Sequence, residues 1–134
     1  MTPVLVDSNV ILDVVTGDPQ WGAKSKRALE KEADRSVLVI NPLIYAEVSV
    51  DFHNIEDLDQ AVPHQIFLRK ALPYAAAYLA GKAFRNYRRR GGLRTAPMPD
   101  FYIGAHAALE GYRILTRDPR RFRTYFPTVE LIAP

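Results

Sequence analysis

Val4-Leu5-Val6-Asp7-Ser8-Asn9-Val10-Ile11 sets three aliphatic residues directly against a helix-starting triplet. The run Val4 to Val6 is too short for a helix and suits a buried strand. Asp, Ser and Asn favour helix starts because their side chains accept orphan backbone N–H groups, and Val10, Ile11, Val14 and Val15 continue with helical spacing. A buried strand running straight into a helix places Asp7 at the strand's carboxyl end. Open parallel sheets bind ligands at such ends, where the strand order reverses.

Working outward, Gly17-Asp18-Pro19 breaks the chain. Asp18 as N-cap and Pro19 at the first helical position predict a helix through about Ala33. Val37-Leu38-Val39-Ile40 reads as a second buried strand, followed by Asn41-Pro42, a helix from about Leu43 to Phe52, and a short helix from Ile55 to Val62. A long helix is expected from Pro73 to Arg90, with Ala76, Leu79, Ala80, Ala83, Phe84 and Tyr87 on its apolar stripe and Gly91-Gly92 as its stop. After a loop from Leu93 to Pro99, Asp100 opens a helix to about Glu110, ended by Gly111. Ile114-Leu115-Thr116 and Thr128 to Ile132 are the last expected strands. Strands separated by helices imply a three-layer α/β domain with a mainly parallel sheet.

The 134 residues fit one domain spanning 1–134, since domains most often run to roughly 100–150 residues. With no cysteine, disulfides and thiolate metal sites are excluded. No run approaches the ~20 apolar residues of a membrane helix, and the first residues lack a basic segment before an apolar one. A cytoplasmic protein with no membrane partner is expected. The net charge of +3 conceals an asymmetry. Residues 1–67 carry 5 Lys+Arg against 11 Asp+Glu, and residues 68–134 carry 13 against 4. Arg85, Arg88, Arg89, Arg90 and Arg94 fall within ten positions. Such a cluster is either a solvated helix end or, beside a catalytic site, a footprint for nucleic-acid phosphates.

Four acids stand where acids are costly without a task. Asp7 and Asp118 end strands, Asp100 opens the small-residue segment Gly104-Ala105-His106-Ala107-Ala108, and Glu47 sits within Leu43-Ile44-Tyr45-Ala46-Glu47-Val48. Each has a plainer reading: Asp7 or Asp100 as a helix cap, Asp118-Pro119 as a turn, Glu47 as a solvated charge. Together in one α/β framework, several of these positions would converge on one edge of the sheet. Converging carboxylates repel one another unless a cation is present. Hard oxygen donors without Cys or paired His select Mg2+ or Mn2+, which can orient a phosphodiester for in-line attack.

The order Val6-Asp7-Ser8-Asn9-Val10, Tyr45-Ala46-Glu47-Val48, Pro99-Asp100-Phe101-Tyr102-Ile103-Gly104-Ala105-His106-Ala107 and Leu115-Thr116-Arg117-Asp118 resembles the PIN domain of VapC-type toxins. The likeness extends through the ending Arg120-Arg121-Phe122-Arg123-Thr124-Tyr125-Phe126-Pro127. The resemblance implies that Asp7, Glu47, Asp100 and Asp118 form an acidic pocket for Mg2+ or Mn2+, with Ser8 orienting water beside it. It further implies a metal-dependent endoribonuclease, a homodimer, and a VapB-like antitoxin whose C-terminal segment enters the groove. On that reading Arg85, Arg88, Arg89, Arg90, Arg94, Arg117, Arg120 and Arg121 flank the pocket and hold RNA phosphates.

His53, His64 and His106 show no metal-ligand spacing, and a metal-free His pair is set aside. Asp13 is expected to support a cap or lie on the surface, and Trp21 and the tyrosines are expected in the core rather than stacking on bases. Rival readings are a catalytically silent PIN-type module binding RNA or protein, an Asp-nucleophile phosphatase, and a DNA nuclease. The phosphatase reading expects a second Asp two residues after Asp7, where Asn9 stands.

Overall fold

The computed structural model describes residues 1–95 and 98–134; Ala96 and Pro97, within the loop expected before Asp100, lie outside the described residues. The chain runs β1 (Val4–Val6), α1 (Ser8–Val15), α2 (Gly22–Arg35), β2 (Leu38–Ile40), α3 (Pro42–Ser49), α4 (Ile55–Ala61) and β3 (Phe67–Arg69). It continues through α5 (Tyr74–Arg89), α6 (Pro99–Glu110), β4 (Arg113–Leu115), α7 (Arg120–Tyr125) and β5 (Leu131–Ile132). All four strand pairings are parallel, in the order β3-β2-β1-β4-β5. Every residue of β1, β2 and β4 is buried, so helices must cover both faces, as parallel sheets require. The three-layer α/β expectation holds.

This order places the topological switch between β1 and β4. From β1 the chain winds outward through β2 to β3, then returns across the sheet to lay β4 on the other side of β1. The crevice at their carboxyl ends is where Asp7 and the residues after Leu115 emerge.

Several boundaries differ from expectation for identifiable reasons. Asp18 does not cap α2. Its Oδ1 accepts from the N–H groups of Gln20 and Trp21, at 2.9 and 2.7 Å, closing a turn that delays the helix to Gly22. Asn41 caps α3, accepting from the Ile44 N–H at 3.0 Å, so that helix starts at Pro42 and ends at Ser49. Val37 is exposed and lies outside β2. The strand β3 and the helix α7 were not expected. Gly111 ends α6 with φ 73°, the left-handed conformation glycine tolerates best.

The core joins Val4, Leu5, Val6, Val39, Ile40, Ile44, Ile103, Ile114 and Leu115 with Phe101 and Phe122. Gly104 lets α7 approach α6, because a Cβ there would strike the Phe126 ring. A charged brace crosses this core. Arg113 of β4 donates from Nη1 to Glu32 Oε1 at 3.0 Å and from Nη2 to the Thr2 carbonyl at 2.9 Å. Arg113 and Glu32 are almost wholly buried, and Arg35 closes on the other Glu32 oxygen at 2.9 Å. The brace pins α2 to the start of β4.

Candidate active site

Asp7 is both a helix cap and a buried acid. Its Oδ1 accepts from the Ser8 N–H at 2.8 Å, and its Oδ2 accepts from the Thr116 hydroxyl at 2.8 Å across the β1–β4 crevice. Thr116 Oγ1 in turn accepts from the Asp118 N–H at 3.1 Å. One hydroxyl therefore joins the end of β1 to the turn carrying Asp118. Sequence reasoning placed Thr116 inside a strand and missed this role; a hydroxyl one residue past a central strand's end was the available signal.

Glu47 approaches from α3, where its Oε1 accepts from the Ser8 hydroxyl at 3.1 Å. Asp100 lies in the first turn of α6, one residue inside Pro99, so it is not the cap of that helix. Its Oδ2 accepts from Arg121 Nη1 at 3.0 Å. Asp118 stands at the rim, half exposed, with Arg120 Nε 3.3 Å from its Oδ1.

Three of the four carboxylates are raised. Burial pushes Asp7 up to about 6, against the Thr116 hydrogen bond, and the charges of Asp100 and Glu47 raise it further. Glu47 is raised by burial and then by Asp100, with the Ser8 hydroxyl opposing. Burial raises Asp100 despite Arg121, and Asp118 adds to the rise. Burial and neighbouring charge thus raise Asp7 at the end of β1, Glu47 on α3 and Asp100 on α6.

Other residues stand elsewhere than expected. Asp13 is neither a surface charge nor a cap. It is buried, accepts from the Ser25 hydroxyl at 2.8 Å, and pairs with Arg117 Nη2 at 3.0 Å. Arg117 is therefore turned back onto α1, with its guanidinium over the Trp21 ring, and tethers the Thr116–Asp118 turn to that helix. Arg88 donates to the Arg94 carbonyl, while Arg85, Arg89 and Arg90 are exposed at the end of α5. His106 is buried against Asn41, 3.1 Å from its Nδ2, and takes no part in the acidic group. Tyr74 and Tyr78 are exposed rather than in the core.

The sequence model of the PIN domain family matches residues 4–126. The chain belongs to the PIN domain family. Among solved structures, this PIN domain is similar in fold to a chain of VapBC2 from Rickettsia felis bound to a promoter DNA fragment. The two share 14% identity, 98% of each chain is covered, and the TM-score is 0.75. DNA-bound VapBC from Salmonella typhimurium is similar at 18% identity, 99% and 98% coverage and TM-score 0.71. A toxin–antitoxin complex from Klebsiella pneumoniae is similar at 22% identity, 89% coverage of both chains and TM-score 0.66. No curated protein matches the sequence.

The donor set of this PIN domain has the chemistry of a hard-cation site: carboxylate oxygens, with the nearest imidazole turned away. Among the described residues, no three such groups stand close enough to share one ion as their side chains lie. Glu47 accepts from Ser8, and Asp100 from Arg121. Among the described residues, no helix is long and apolar enough to cross a membrane.

Proposed function

We propose that this PIN domain is an Mg2+- or Mn2+-dependent endoribonuclease, the toxin of a VapBC-type pair held silent by a VapB-like antitoxin. The observation that carries the reading is the set of acids at the β1–β4 switch: Asp7, Glu47 and Asp100 are each raised by burial, Asp100 adds to the rise of Asp7 and Glu47, and Asp118 at the rim adds to that of Asp100. Such a group is poorly ionised by itself and is relieved by a cation. The fold likeness to VapBC chains and the toxin–antitoxin complex supports the partner assignment.

In this reading Asp7, Glu47, Asp100 and Asp118 hold the ion. When bound, it supplies positive charge to the phosphodiester oxygens and to the attacking water. Thr116 fixes the Asp7 carboxylate, and Ser8 fixes Glu47 through its hydroxyl. Arg121, now on Asp100, has further N–H donors for a phosphate oxygen once the carboxylate turns to the ion. Arg85, Arg88, Arg89, Arg90, Arg94, Arg117 and Arg120 supply positive charge around an acidic centre that would otherwise repel RNA, Arg117 while also bound to Asp13. A homodimer is proposed with it, supported by the exposed Tyr74, Tyr78 and Leu79 along α5.

The test is digestion of total RNA with Mn2+ or with EDTA, by the parent protein and by Asp100→Asn. Cutting only by the parent and only with Mn2+ supports the proposal. Full cutting in EDTA rejects the metal, preference for single-stranded DNA favours a DNA nuclease, and no cutting under any condition favours a silent binding module.

A further inference from the structure

Beside the carboxylates lies a second feature, an open polar cleft of about 380 Å3 between the end of α5 and α7. It is lined by Tyr87, Asp118, Arg120, Arg121, Thr124 and Tyr125. Its size is at the small end of ligand-binding clefts and leaves room for one nucleotide. It shares a wall with the acidic group. Asp118 lines it directly, and Arg121 spans from the cleft to Asp100 Oδ2 at 3.0 Å.

The aromatic side of the cleft is rigid. The rings of Tyr87 and Tyr125 each stand edge-on to Phe101, at 5.6 and 5.4 Å between centroids, and Phe101 is completely buried. Gly92 allows the chain after α5 to close on Tyr87, since a Cβ there would strike that ring. The guanidinium of Arg90 lies over one face of the Tyr125 ring, 5.4 Å from its centre, which leaves only the opposite face for a base. Arg120 uses only its Nε toward Asp118 and keeps its terminal N–H groups for another acceptor.

Fixed aromatic rings interleaved with arginines are how proteins hold single-stranded nucleic acid: bases stack and phosphates pair. We propose that this cleft is a nucleotide subsite next to the cut, in which a base of single-stranded RNA stacks on Tyr125 and Arg120 pairs with the adjoining phosphate. The inference rests on the ribonuclease reading and adds to it a base contact that phosphate-binding arginines alone do not provide.

The probe is a fluorescent oligoadenylate RNA dodecamer, compared with an abasic oligomer of equal length, by anisotropy in EDTA so that neither is cut. The parent protein should favour the base-bearing oligomer about tenfold. Tyr125→Leu should bring that ratio near one while leaving affinity for the abasic oligomer unchanged, and Tyr125→Phe should restore it. Arg120→Ala should weaken both oligomers equally and preserve the ratio. If Tyr125→Leu does not fold, Thr124→Glu replaces it: a carboxylate on this exposed lining residue should weaken oligoadenylate several-fold. A parent protein that binds both oligomers equally, or a Tyr125→Leu protein that keeps the preference, overturns the subsite even if Mn2+-dependent cutting persists. Equal oligomer binding combined with capture of an acidic aromatic peptide assigns the cleft to a protein partner instead. Failure of the parent to bind either oligomer removes the subsite, while the ribonuclease reading stands or falls separately on the Mn2+ digestion.

Discussion

Removing the charge from Asp7 should make the metal-free protein more stable, the opposite of what most buried substitutions do. The Asp7 carboxyl titrates near about 6 in the fold against an ordinary value of 3.8. At 1.36 kcal/mol per pH unit, that gap is a penalty of about 3 kcal/mol for ionised Asp7 in the native state. Its sign follows from where the proton sits. Below the unfolded value both states are protonated and nothing is lost; as pH rises toward about 6 the unfolded chain ionises first, and native stability drains away. Asp7→Asn escapes the penalty and keeps an acceptor for the Ser8 N–H, but sets an NH2 where the Thr116 hydroxyl donates, so that bond must reverse or be lost, at about 1 kcal/mol. The net gain in EDTA at about pH 7.5 should be about 1–2 kcal/mol, vanishing at about pH 4. Urea unfolding at the two pH values reads it directly. An Asp7→Asn protein that is less stable than the parent at both would refute the reasoning.

Glu32→Ala should cost about 3–5 kcal/mol in the same unfolding assay, because it leaves the buried Arg113 only the Thr2 carbonyl and the exposed Glu130 carboxylate at 3.7 Å; a loss below about 1 kcal/mol would mean that Glu130 or water compensates the guanidinium. Gly104→Ala should cost about 1–3 kcal/mol by driving a methyl into the Phe126 ring, and an unchanged melting temperature would show that α7 moves freely. Reversing the charges of Arg88, Arg89 and Arg90 should weaken RNA binding and reduce its salt slope by roughly 0.7 for each phosphate no longer neutralised; an unchanged slope would remove that triplet from the RNA footprint.

What the sequence revealed follows from how local each signal is. β1 and Asp7 were legible because an aliphatic run and a helix-start triplet adjoin within eight residues. β3 was not, since Leu68 and Arg69 are exposed on an edge strand and leave only Phe67 as a buried marker. α7 hid for a similar reason: six residues with Phe122 alone buried, behind a Pro119 that reads as a turn. The four acids could be named from their places on elements, but their mutual approach could not be measured from the chain. Asp13 was misjudged because its bond to Arg117 joins residues on α1 and past β4 that no periodicity connects. The tyrosines divided between core and surface according to tertiary packing, with Tyr87 and Tyr125 half-buried and Tyr74 almost fully exposed.

The central proposition is that four acids remote in sequence act as one divalent-cation site. Calorimetric titration of Mn2+ into the parent protein and into Asp7→Asn, Glu47→Gln, Asp100→Asn and Asp118→Asn tests it without recourse to any substrate. Saturable binding by the parent, weakened about tenfold or more by each single substitution, is the expected result. Parent-like Mn2+ affinity in all four variants would contradict it.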